Sequence, residues 1–136
     1  MTNAKKTHAD KPTAEWKTND FLAYLTERHS ELYGIDYRPF RSWAAERGLI
    51  GGLVGTKTKA AKVSPEFLRK FIDECFASHR VTAQYPGVSF SWFYQYKTAI
   101  WQRLEAEELA ERQREEAEAK RQAAGSVDAE DLDGWF

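Results

Sequence analysis

The sequence predicts an all-α protein: a small domain of about four helices, a long C-terminal helix that projects from it, and disordered tails. Three observations predict this. Apolar residues recur at helical spacing in separate stretches, residues that cap helix starts stand before them, and after Leu104 alanine and charge replace large apolar groups without losing helical character. With 136 residues, 42% hydrophobic and 14% aromatic, the chain can bury one modest core, so one domain, residues 16–104, is expected between its flanks.

Residues 1–15 are rich in Lys, Thr, Ala and Asp and lack an apolar period, which predicts a mobile arm whose Lys5, Lys6 and Lys11 are available to phosphates. Thr18, Asn19 and Asp20 are capping residues before Phe21, Leu22, Leu25 and Leu32, and Gly34 is a stop signal, so a first helix is predicted over about 19–33. Pro39 suits the first turn of a shorter second helix, with Phe40, Trp43 and Ala44 on one face and Gly48 at its end. Four glycines and two lysines crowd the stretch from Gly48 to Lys59, which reads as a flexible basic loop. A phosphate-binding P-loop is rejected there, because Gly55-Thr56-Lys57-Thr58 lacks the required glycine spacing and a preceding strand.

Ser64-Pro65-Glu66 combines a hydroxyl cap, a first-turn proline and an acid at the positive helix end, and so starts a third helix reaching about Ser78. Phe67, Phe71, Ile72, Cys75 and Phe76 mark its buried stripe. Arg80 to Gly87 reads as a loop with a Pro-Gly turn. Ser89 or Ser91 then caps a fourth helix carrying Phe90, Phe93, Tyr94, Lys97, Ile100, Trp101 and Leu104, which packs in its first half and projects over 105–124. Gly125-Ser126 is the expected break before an acidic tail, residues 125–136.

The formal net charge of −1 hides a division. Residues 1–103 hold 16 Lys and Arg against 10 Asp and Glu, giving +6, whereas residues 104–136 hold 4 against 11, giving −7. A basic body with an acidic tail suits a nucleic-acid binder whose tail competes with phosphate for the same cations. In the tail, Asp128, Glu130, Asp131 and Asp133 precede Trp135 and Phe136, two rings suited to an apolar pocket rimmed by Lys or Arg on a partner.

Acids followed by a terminal Phe resemble the C-terminal tips of bacterial and phage single-stranded DNA-binding proteins, over about the last nine residues. Those tips often carry Pro where this chain has Trp135. The resemblance implies recruitment of a replication or repair protein through Asp128, Glu130, Asp131, Asp133, Trp135 and Phe136. The body is not assigned to a family.

For the body, Trp92, Phe93, Tyr94, Tyr96 and Trp101 lie within ten residues beside Lys97 and Arg103. A helix cannot bury all these faces, so with Phe93, Ile100 and Trp101 inward, Trp92 or Tyr96 is left to stack on an unpaired base while Lys97 or Arg80 holds the phosphate. Arg38, Arg41, Arg47, Lys57, Lys59 and Lys62 are the other basic candidates.

His8, His29 and His79 are dispersed, no metal-ligand spacing occurs, and Asp73 and Glu74 point in different directions on one helix. No enzyme activity and no cofactor are expected. Cys75, the single cysteine, excludes an internal disulfide and reads as a small buried hydrophobe. No apolar run approaches the roughly 20 residues of a membrane span, so a soluble, cytoplasmic protein is expected.

These features together predict a DNA-binding accessory protein of replication or recombination, phage-like in style, binding DNA, preferably single-stranded, on its body and a protein partner through its tail. The alternative is an adaptor that touches no DNA, such as a helicase loader or an inhibitor of a host replication or transcription factor. A helix-turn-helix regulator built from 38–48 and 64–78 ranks last, because their separation exceeds the usual turn of about three or four residues.

Overall fold

The structure, a computed structural model, describes the backbone of residues 8–135 and the side chains of residues 8–124. It is all-α, with five α-helices and no strand among the described residues: α1 (Thr18–Tyr33), α2 (Trp43–Val54), α3 (Pro65–Ser78), α4 (Phe90–Tyr96) and α5 (Thr98–Trp135). The chain forms two units, Met1–Trp101 and Gln102–Phe136.

In the first unit, α1 begins where predicted. The Lys17 backbone N–H donates to the Asp20 carboxylate at 2.9 Å, which satisfies one of the helix's unpaired amides. Phe21, Leu22, Tyr24, Leu25 and His29 are buried, and Gly34, at φ 74°, ends the helix in the left-handed region that favours glycine. Leu32, expected in the apolar stripe, is exposed.

The second helix differs from expectation. It starts at Trp43, after Pro39, because the Ser42 hydroxyl accepts from the Ala45 N–H at 3.0 Å and sets the N-cap there. It then runs through Gly48, Gly51 and Gly52 to Val54, so half of the predicted flexible loop is helical. Three helical glycines cost about 1 kcal/mol each, but Ile50 and Leu53 are buried, worth about 1.5–3 kcal/mol each. Burial wins. It also moves the inward face from Phe40, Trp43 and Ala44, all exposed, to Glu46, Ile50, Gly51 and Leu53.

Helix α3 follows the sequence closely, with the Ser64 hydroxyl accepting from the Phe67 N–H at 3.1 Å and Phe67, Leu68, Phe71, Ile72, Cys75 and Phe76 buried. Burial pushes the Cys75 thiol up to about 12, so it remains protonated and behaves as a small apolar group.

Ser89 caps α4, its hydroxyl accepting from the Trp92 N–H at 3.3 Å, but the single continuous helix expected from there is divided in two. The chain breaks at Lys97, whose backbone leaves helical geometry (φ −109°, ψ 39°) while its carbonyl accepts from Ile100 and Trp101 to start α5. Across the break, Phe93 meets Phe76 edge-on at 5.1 Å and Trp101 meets Phe67 at 4.8 Å and Phe71 at 5.0 Å.

Residues 8–15 also carry structure where an arm was expected. They form 3-10 turns at His8–Asp10 and Thr13–Glu15, held because the buried Trp16 donates its indole N–H to the His8 carbonyl at 2.9 Å. Arg69 lies over the Trp16 and Tyr24 rings at 4.7 and 5.1 Å. Lys11 is paired with Asp20 at 3.2 Å and so is already engaged. Lys5 and Lys6 lie outside the described residues.

The second unit is the remainder of α5. Arg103–Glu107 at 2.9 Å and Arg112–Glu108 at 4.0 Å pair across one turn, and such exposed pairs contribute little, about 0–1 kcal/mol. The backbone stays helical through Gly125-Ser126 to Trp135, past the expected break, since each glycine costs only about 1 kcal/mol against an otherwise continuous ladder. The side chains of Asp128, Glu130, Asp131, Asp133, Trp135 and Phe136 lie outside the described residues.

Candidate nucleic-acid interface

A cleft of about 1220 Å³ opens in the first unit, where the segment after α1, the loop between α3 and α4, and Trp92 and Lys97 come together. His29 explains how the two loops meet. Its Nε2 accepts from the Val88 N–H at 3.1 Å, which makes Nδ1 the protonated nitrogen, donating to the Ile35 carbonyl at 3.0 Å. One buried imidazole on α1 thus ties together the loop carrying Arg38 and the loop carrying Arg80.

Gly87 completes that junction, since a Cβ there would stand 2.8 Å from His29 Nε2. Gly87→Ala should therefore displace the imidazole, break the Val88 bond and cost about 1–3 kcal/mol. The urea midpoint checks it, and a Gly87→Ala/His29→Ala double variant should lose less than the two single losses combined.

Helix α4 is anchored from below. The carboxyl group of Glu46, fully buried at 0% exposure, accepts from the Tyr37 and Ser91 hydroxyls, and Tyr37 in turn accepts from the Phe90 N–H at 2.8 Å. Burial, and then the Glu46 charge, raise the Tyr37 pKa, so the phenol stays a donor. With its N-terminus fixed, α4 sets Trp92 in the cleft wall. His79 meets that indole edge-on at 5.1 Å, Tyr96 lies at 5.1 Å, and the Lys97 ammonium sits 5.8 Å from the ring centroid. Burial, followed by the Lys97 charge, lowers the His79 pKa, which keeps it neutral at pH 7.

Among the described residues, Arg38, Arg80 and Lys97 give the cleft three cations, with Asp36 as its one carboxylate. Among the described residues, none of the three has a carboxylate at ion-pair distance. Exposed rings stand beside them: Tyr85 is 67% and Phe40 64% exposed. Unpaired cations beside open aromatic faces can bind a phosphate and a planar ring at once.

Of the sequence candidates, Arg38, Arg80, Trp92 and Lys97 are brought together. Tyr96 stands beside Trp92, 60% exposed. Arg41, Arg47, Lys57, Lys59 and Lys62 are exposed but do not line the cleft. Lys62 is fixed by its N–H to the Leu53 carbonyl at 2.8 Å, so the segment after α2 turns back on its own helix. Sequence reading did not single out Phe40, Tyr85, Asp36 or the roles of His29 and His79. The Tyr85-Pro86-Gly87 turn beside Arg80 is the available signal for Tyr85, whereas Phe40 reads as sharing a helix face with Trp43 and Ala44.

Among the described residues no group of three or more His, Cys, Asp or Glu is placed to hold a metal, and no helix is long and apolar enough to cross a membrane. No protein-family model, curated protein or solved structure matches the chain.

Proposed function

We propose that this protein is a non-enzymatic DNA-binding accessory factor of replication or recombination, phage-like in style, that acts in the cytoplasm. Its helical body holds DNA, preferably single-stranded, and its acidic C-terminal tip engages a replication or repair protein. The observation that carries this reading is the meeting of Arg38, Arg80 and Lys97 with Trp92 and Tyr85 in one cleft. Cations with no carboxylate at ion-pair distance among the described residues attract phosphate, and the rings accept bases by stacking, which needs no particular base.

The tip, resembling those of single-stranded DNA-binding proteins, supplies the second activity. Its acids carry the same sign as phosphate, so it competes with DNA for cations and becomes available to a partner once DNA is bound.

Fluorescence anisotropy of labelled single-stranded and duplex DNA, across a salt series, tests the reading on the full chain and on a version ending at Ser126. Salt-sensitive binding that is preserved or tightened by truncation is the expected result. Lost affinity on truncation contradicts the competition step. Absence of binding by either form at low salt favours a protein adaptor that touches no DNA.

A further inference from the structure

Resting on that reading, we propose that the cleft is the DNA site, that it takes only unpaired strands, and that its footprint is short, about two or three nucleotides. Three features of the cleft lead there. The first is charge: among the described residues Arg38, Arg80 and Lys97 are the cations that line it, and each can neutralise one phosphate.

The second is room. About 1220 Å³ exceeds the roughly 300–1,000 Å³ of pockets that enclose one small ligand. A single nucleotide would leave the cleft partly empty, while a stretch of two or three fits the number of cations.

The third is where the rings stand. Trp92 is half-buried in the wall, braced by His79 and Tyr96, and Tyr85 lines the same cleft from the loop before α4. A base reaches a recessed ring only if it can leave its own stack. Duplex DNA keeps its bases inside and presents phosphates outside, so it can touch the exposed Arg38 and Arg80 but cannot fill the cleft. The exposed lysines at 57, 59 and 62 lie outside this path.

Anisotropy with labelled oligothymidylates of increasing length, set against a hairpin duplex, tests the proposal on the full chain. Affinity should rise steeply up to about three nucleotides and only slowly beyond, with log K falling against log salt at a slope of about −2, as three single-strand contacts require. Arg38→Gln combined with Arg80→Gln, both exposed positions, should flatten that slope to about −0.7. Trp92→Ala should weaken binding about tenfold, and Trp92→Phe, which retains a stacking ring and guards against misfolding, should weaken it less.

A slope that flattens instead in Lys57→Gln/Lys59→Gln/Lys62→Gln would overturn the cleft assignment while leaving DNA binding intact. Equal affinity for the hairpin, with no effect of Trp92→Phe or Trp92→Ala, would overturn single-strand selectivity. No binding of any DNA at low salt would remove the proposed function itself.

Discussion

Glu46→Ala is expected to destabilise the body by about 2–4 kcal/mol, because it strands two hydroxyl donors at once. Tyr37 and Ser91 both donate to that carboxyl group, and Tyr37 is itself buried. Removing the buried carboxyl group returns part of the cost of having desolvated it, which is why the loss stays below the sum for two orphaned donors. Urea unfolding followed by circular dichroism measures it. Glu46→Gln, which keeps one acceptor oxygen, should lose less, and a Glu46→Ala/Tyr37→Phe cycle should be non-additive by about 0.5–3 kcal/mol. Additive losses would mean that the two groups are not coupled. Since the same network holds the start of α4, the variant should also loosen Trp92 and raise the accessibility of tryptophan to quenchers.

Phe71→Ala should cost about 3–5 kcal/mol, the range for deleting a fully buried ring. Phe71 lies at the centre of the aromatic core, edge-on to Phe90 at 6.1 Å and to Trp101 at 5.0 Å. Three helices contribute these rings, α3, α4 and the first turn of α5, so the cavity cannot collapse by moving one side chain. Phe71→Leu should recover more than half of the loss, since most of the apolar volume returns. A loss below about 1 kcal/mol for Phe71→Ala in equilibrium unfolding would contradict the packing described, given what such cavities cost.

Much of the fold was legible because its signals are local. Ser64-Pro65 starts α3, Gly34 ends α1 and Ser89 caps α4, and each works through hydrogen bonds or backbone angles within one turn. The stripe on α3 follows from the helical period alone. In the cleft, Arg80, Trp92 and Lys97 were legible for the same reason, lying close in sequence in a region too aromatic to be wholly buried.

Other features depended on distant partners. The glycine-rich stretch reads as a loop until Ile50 and Leu53 find places in the core, and only then does burial outweigh glycine's helical cost. Phe40 reads as sharing a helix face with Trp43 and Ala44 until Ser42 sets the helix start beyond it, after which its ring lines the cleft with Arg38. Nothing near His29 in sequence announces that its two nitrogens will bridge Ile35 and Val88, since the latter partner is 59 residues away.

The sequence by itself determined an all-helical chain, the limits of α1 and α3, and a basic body followed by an acidic tail, because charge counts, caps and helical periodicity are properties of neighbouring residues. Tertiary structure alone decided how far α2 extends, where the chain breaks at Lys97, and which cations share a cleft with which rings. The physical reason is that burial and cleft formation are settled by groups far apart in the chain, whose energies appear only when the whole core closes.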